Sequence, residues 1–408
     1  MKIAFIVNEF PSISQTFILN QITGLIDLGY DIEIFARESN NEKKIHSDIE
    51  KYNLMKRVHY FEKVSKNKII RVLEAIYLIF KNFHIIALKK ILNSLNVFRF
   101  GREALSLKLF YMIVPFLNKS FDIIQCHFGP NGNIGAFLKQ LGIGGALVTM
   151  FHGYDTRLGI ERGSKIYRQL ITHGDCFLAI SDYNYRNLVR FGVDKEKIIF
   201  HPVGIEIDKF PFKWQGKNKA PSKIIVLTVA RLVEEKGLEY SIMAVNKILK
   251  KNPDLALNYY IIGEGPLRKS VEKLVKELKL ENVVKIIGAM DQMEVVKEMS
   301  KAHIFLLPSI AEALPVVLME AQAIGLPVIA TNVGSVKEVV NHQKSGFIVP
   351  AKDVDAIAEK LEYLIGKPEL WSNIGQKGRE FVEKHYDINK LNLRLVKIYK
   401  NLQNGKNR

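Results

Sequence analysis

Ile304-Phe-Leu-Leu307-Pro-Ser309-Ile-Ala-Glu312-Ala-Leu-Pro315-Val-Val-Leu-Met-Glu320-Ala-Gln-Ala-Ile-Gly325-Leu-Pro327-Val-Ile-Ala330 reads as strand, loop, helix, strand. Four apolar residues, Ile304–Leu307, form the first strand, and Pro327–Ala330 begins the next. Pro315 suits the first helical position, where a missing N–H costs nothing. Gly325 and Pro327 stop the helix. The free N–H groups and the dipole at the helix start favour an anion such as phosphate. Side chains lean toward a helix's N-terminus, so Glu320 points back at that anion. A carboxylate repels phosphate but accepts two hydrogen bonds, which suits a vicinal diol beside one. Phosphate beside diol describes a nucleotide ribose, and Glu312 on the loop is placed for a second polyol. The segment therefore reads as a nucleotide-sugar site.

The same alternation runs outward in both directions, as in doubly wound parallel sheets. Strands are expected at Lys2–Val7, Asp31–Ala36, Asp122–Cys126, Leu147–Phe151 and Cys176–Ile180. A second series is expected at Lys223–Val229, Leu257–Ile262, Val284–Ile287, Ile304–Leu307 and Pro327–Ala330. With 408 residues the chain is too long for one ordinary core. Residues 204–222, rich in Lys, Pro and Gly, read as a linker between domains at 1–203 and 223–385. Ligands in such sheets bind beyond the carboxyl ends of the strands, and the motifs fall there. Arg231 and Lys236 follow one strand end and can neutralise a diphosphate without a metal. Ile262-Gly263-Glu264-Gly265-Pro266 and Gly288-Ala289-Met290 follow two others. His127 and His152 close first-half strands beside glycines, with Asn131 and Asp155 close by. Asp353-Val-Asp355 precedes a helical apolar stripe and reads as an N-cap rather than a metal site.

The two glutamates resemble the E-x7-E element of retaining GT-B glycosyltransferases of glycosyltransferase family 4. Relatives usually carry Gly after the first Glu, where this chain has Ala313. Phe10-Pro11-Ser12-Ile-Ser14-Gln15-Thr16-Phe17 and the His127-Phe-Gly-Pro-Asn131-Gly stretch resemble the exopolysaccharide and colanic-acid branch. The resemblance covers nearly the whole chain. It implies two Rossmann-like domains facing a cleft, with residues 386–408 crossing back to the first. It implies that Arg231 and Lys236 bind the donor diphosphate, Glu320 the ribose, and Glu312 and His152 the transferred sugar. Donor contacts are further implied at Gly263, Gly265, Ala289, Met290, Leu314, Pro315, Val316 and Val317. Ser14, Gln15, His127, Asn131 and Asp155 are expected on the acceptor side. No metal or other cofactor is expected. A nucleotide-sugar epimerase, a glycoside phosphorylase or a non-catalytic sugar-nucleotide sensor are the alternatives.

Composition narrows the partners. Apolar residues make up 48% of the chain, the level of a globular protein. No 18-residue apolar run is present to span a membrane. Two cysteines, Cys126 and Cys176, argue for a reducing cytoplasm rather than a disulfide scaffold. The net charge of +17 implies an anionic partner: nucleic acid, an anionic membrane or a phosphorylated substrate. Without a zinc finger, arginine-rich run or aromatic RNA-binding signature, nucleic acid is not expected. Between Lys63 and Lys119 eleven Lys/Arg face two acids, Glu74 and Glu103, interleaved with aliphatic and aromatic residues. Basic amphipathic helices of this kind can lie on anionic lipid, the alternative being ordinary core helices with solvated lysines. The expectation is a cytoplasmic enzyme held peripherally on the inner face of the membrane, where a lipid-linked glycan acceptor would be met.

Overall fold

A computed structural model describes residues 1–12, 15–39, 46–81, 85–213 and 221–406. The chain divides into two compact units, Met1–Pro202 with Asn389–Arg408, and Val203–Ile388. Each is built on an all-parallel sheet. The first holds β1 (Lys2–Glu9), β2 (Asp31–Glu38), β3 (Val58–Tyr60), β4 (Ile123–His127), β5 (Ala146–Phe151), β6 (Cys176–Ala179) and β7 (Ile198–Phe200). Their order is β3-β2-β1-β4-β5-β6-β7. The second holds β8 (Ile224–Val229), β9 (Leu257–Ile262), β10 (Val284–Gly288), β11 (Ile304–Leu307), β12 (Val328–Thr331) and β13 (Gly346–Val349). Their order is β10-β9-β8-β11-β12-β13.

Parallel strands need crossover connections, which place helices on both faces and bury the strands on both sides. Ile3 to Phe5 and Ile304 to Leu306 are accordingly fully buried. In each unit the chain winds outward, then returns to lay a strand beside the first: β4 next to β1, and β11 next to β8. At such a reversal two neighbouring loops leave in opposite directions and open a crevice above the strand ends. The reversal in the second unit lies between the Arg231 loop and the Glu312 loop.

Three strands lie outside the expected set: β3, β7 and β13. β3 and β7 have only three residues each, too few for an alternating pattern to register. Part of the expected linker is also different in kind. Residues Val203–Lys213 pack with the second unit, where Ile205, Ile207 and Phe210 are buried. The Phe210 carbonyl accepts from Arg379, and the Lys213 N–H donates to the Ile324 carbonyl at 2.9 Å. The last helix, Ile388–Lys406, joins the first unit from Asn389 onward. Its Tyr399 hydroxyl meets Gln125 Oε1 at 2.9 Å, and Asn392 Nδ2 donates to the Asn20 carbonyl at 3.3 Å.

Candidate active site

The Glu312 loop is held from three sides. Ser309 Oγ donates to Glu312 Oε1 at 2.7 Å, and Lys236 Nζ reaches the same oxygen at 2.5 Å. The Ser309 carbonyl accepts from Thr331 Oγ1 at the end of β12. Ile310 and Ala311 donate to the Glu235 carbonyl at 2.8 and 3.2 Å, joining this loop to the one after β8. Two glycines permit the closeness. A Cβ on Gly237 (φ +55°) would lie 2.5 Å from the Pro308 carbonyl oxygen, and one on Gly334 (φ +51°) 1.7 Å from that of Glu312. Both clashes are with backbone, which has nowhere to go. Sequence reasoning missed Ser309, Thr331 and Gly334; a Gly three residues after a strand end was the available signal for the last. Gly334→Ala is expected to displace Glu312 and lower turnover by at least about tenfold, equivalent to about 1.4 kcal/mol. A melting-curve and rate comparison with Gly144→Ala, whose Cβ would meet nothing, is the check. Equal behaviour of the two would remove Gly334 from the site.

Sequence placed Pro315 as the first helical residue. It is instead the N-cap of the helix Val316–Ile324, with φ −80° and ψ 89°. Proline shares the helical φ, but here its ψ is extended and the turn begins one residue later. The N–H groups of Val316 and Val317 therefore head the helix, beyond reach of its own carbonyl ladder. Leu314 and Pro315 are buried beneath them. Gly325 closes the other end with φ 94°, and Leu326 donates back to Ala321 at 2.9 Å. Glu320, one turn into the helix, keeps partial solvent contact at its surface. Its carboxyl nonetheless sits among enough protein that burial pushes its pKa up to about 7. No charge or hydrogen bond offsets that shift, so the carboxyl is an acceptor without a donor among the described residues.

Arg231 is exposed and enters no ion pair among the described residues. Lys236, expected to face a diphosphate, is also paired with Glu312. The sequence could not show this, because 76 residues separate the two. Gly263 and Gly265 also serve the protein backbone: Cβ atoms there would lie 1.8 Å from the Ala230 oxygen and 2.4 Å from the Leu232 oxygen. They let the loop after β9 press against the loop carrying Arg231. Ala289 is exposed and Met290 half-buried after β10. Asp353 caps the helix Val354–Ile365 by accepting from the Ala356 N–H at 2.9 Å, and Asp355 pairs with Lys247. Among the described residues no cluster of three or more His, Cys, Asp or Glu is arranged to hold a metal ion.

In the first unit the ends of β4 and β5 bring two histidines together. His127 Nδ1 lies 3.2 Å from His152 Nε2, and His127 Nε2 lies 2.9 Å from Gln21 Oε1. An amide oxygen only accepts, so His127 Nε2 carries a proton and its Nδ1 accepts from His152 Nε2–H. Phe17 and Phe128 crowd the His152 ring at centroid distances of 4.9 and 4.5 Å. Burial drives both imidazoles down, His152 to about 3 and His127 well below its usual range. Both are neutral at ordinary pH, and His152 spends one nitrogen on the interior.

Three of the expected acceptor-side residues turn inward. Asp155 is fully buried; its carboxylate accepts from the N–H groups of Gly129 (2.9 Å), His152 (2.7 Å) and Thr156 (3.1 Å). Burial raises its pKa to about 7 against the lowering effect of those bonds. Asn131 donates to the His127 carbonyl at 2.8 Å, and His127 itself has no exposed surface. Gln15 is half-exposed at the start of the first helix, and Ser14 lies outside the described residues. Asp155 thus fastens the loops after β4 and β5 to each other. Asp155→Ala would strand three buried donors, and denaturant unfolding should show a loss of about 2–4 kcal/mol. Unchanged stability would return Asp155 to the acceptor side.

Comparison with known proteins agrees with these features. Residues 14–209 match the family described as Glycosyltransferase Family 4, and residues 210–381 that described as Glycosyl transferases group 1. The chain is 33% identical to WcaL of Escherichia coli K12, assigned by name to colanic acid biosynthesis as a glycosyltransferase, over 98% of this chain and 99% of that one. It is 35% identical to the amylovoran biosynthesis glycosyltransferase AmsK of Erwinia amylovora, over 88% of this chain and 90% of that one. Among solved structures it resembles Anabaena HepE in complex with UDP, with a TM-score of 0.72, 16% identity and coverage of 98% and 100%. The chain belongs to the family 4 glycosyltransferases of the exopolysaccharide type, and its two Rossmann-like units are those of the GT-B fold.

Proposed function

We propose that this glycosyltransferase takes a sugar from a nucleoside-diphosphate donor and moves it, with retention, to a hydroxyl of a lipid-linked glycan in surface-polysaccharide synthesis. The observation that carries the donor reading is the set of groups around the β8/β11 reversal: the open helix start at Val316, and the Glu320 carboxyl and Arg231 guanidinium, neither of them partnered among the described residues. Diphosphate suits the first and last, and a ribose diol suits the carboxyl between. Arg231, Lys236 and the helix start would stabilise the charge that develops on the leaving diphosphate, without a metal. Glu312 would hold a hydroxyl of the sugar, its oxygen already fixed by Ser309. In the first unit, His152 would meet a substrate hydroxyl as a neutral hydrogen-bonding ring. The UDP complex of a protein with the same fold, and relatives named for two exopolysaccharides, support this reading. The acceptor would be met at the anionic inner face of the cytoplasmic membrane, to which the excess of positive charge is suited.

Thermal-shift screening with nucleoside diphosphates and their sugars tests the donor. A ligand at about a hundred times its dissociation constant adds about 2.7 kcal/mol of stability. One base should stand out. If no nucleotide moves the melting temperature, the donor reading is wrong.

A further inference from the structure

The helix Lys68–Lys81 is turned inside out. A helix on the surface of a globular domain buries its apolar stripe. This one buries only Ala75 and Leu78. Its large apolar side chains face outward: Ile69 is 72% exposed, Leu73 60%, Tyr77 63% and Phe80 75%. At 100° per residue, positions 69, 73, 76 and 80 fall within about 60° of arc, so the exposed residues form one continuous stripe. Leu92, Phe98 and Leu105, on the short helices that follow, are exposed too.

Cations accompany them. Lys63, Lys66, Lys68, Lys81, Lys89, Arg99, Arg102 and Lys108 are exposed in the same stretch. Other basic residues there are committed elsewhere: Arg71 to the Ser65 and Ser106 carbonyls, Lys90 to the Leu117 carbonyl at 3.1 Å, and Lys119 to Glu33. No helix among the described residues is long and apolar enough to cross a membrane. We infer that the helix Lys68–Lys81 lies in the plane of an anionic bilayer with Ile69, Leu73, Ile76 and Phe80 sunk among the acyl chains, while the neighbouring lysines hold lipid headgroups. A protein partner would explain an apolar stripe, but the cations around it fit a surface of phosphates. Charge alone would bring the protein to the headgroups; the stripe makes it enter. This extends the membrane reading above and stands independently of the donor reading.

The test uses the full chain and vesicles of phosphatidylglycerol with phosphatidylcholine. The triple variant Ile69→Ser, Leu73→Ser and Phe80→Ser changes only exposed side chains and leaves every charge in place. Co-sedimentation should fall at least about tenfold. Lys68→Glu, Lys81→Glu and Lys89→Glu together should make binding equally weak. In Phe80→Trp, tryptophan emission should shift to the blue on adding vesicles and be quenched by lipids brominated in the acyl chain. Donor binding by thermal shift should be the same in all variants, which separates a failure here from a failure of the donor site. The inference is overturned if the serine variant binds vesicles like the parent, if the tryptophan of Phe80→Trp stays unquenched, or if sedimentation equilibrium shows that the stripe seals a second copy of the chain.

Discussion

Arg231→Ala is expected to lower turnover at least about tenfold while leaving the melting temperature unchanged. Lys236→Ala should lower both. The two cations were equivalent in the sequence, each a positive charge near a strand end. Folding separates them. Arg231 is exposed and outside any ion pair among the described residues, so removing it disturbs nothing there and only deprives a diphosphate of its bidentate partner. A tenfold loss corresponds to about 1.4 kcal/mol, the low end for one charge-assisted contact made in the transition state. Lys236 neutralises Glu312, whose side chain is nearly buried. Its removal leaves a carboxylate with Ser309 alone, and breaking such a pair costs about 3–5 kcal/mol when both groups are buried; the partial exposure of Lys236 lowers that figure. Parallel melting curves and steady-state rates distinguish the two. Unchanged rates in both variants, or activity abolished by EDTA, would mean that the charge on the leaving group is met by something else.

Much of this was legible in the sequence because it is local. The strands β8, β9 and β11, the Gly325 stop and the Asp353 cap follow from periodicity and end chemistry within a few residues. What was not legible depends on which elements become neighbours. The Lys236–Glu312 pair exists because β11 returns beside β8, and the His127–His152–Gln21 chain because β4 and β5 pair beneath the first helix. Sequence could show that residues 68–81 are amphipathic but not which face is inward. The eleven cations counted between Lys63 and Lys119 include Lys90, which the fold spends on the Leu117 carbonyl. Asp155 and Asn131 were expected on the acceptor side because the resemblance and their place beside strand ends pointed there. Here the tight loops left buried N–H and carbonyl groups that needed partners, and these side chains supply them.

Nucleotide affinity is expected to rise with pH through about 7 and to lose that dependence in Glu320→Gln. Burial raises the Glu320 carboxyl to about 7, so in the free protein it is largely protonated at pH 6 and largely ionised at pH 8. The sign for stability follows. A carboxyl whose folded pKa is raised contributes stability that is complete below its unfolded value near 4.5 and fades as pH climbs through about 7. Ligand reverses the balance. A ribose diol donates two hydrogen bonds to the ionised form, lowers the pKa in the complex and releases a proton on binding. Affinity for the bare nucleoside diphosphate should therefore fall by about tenfold from pH 8 to pH 6, one pKa unit below the midpoint. Calorimetry in buffers of different ionisation heat measures both the affinity and the proton released. Glu312→Gln separates the two carboxylates. It should keep this pH dependence and bind the bare nucleotide as the parent does, yet lose transfer, because Glu312 is held by Ser309 and Lys236 at the sugar end of the site. If Glu320→Gln retains the parent's slope, or both variants lose nucleotide affinity equally, then Glu320 does not hold the ribose.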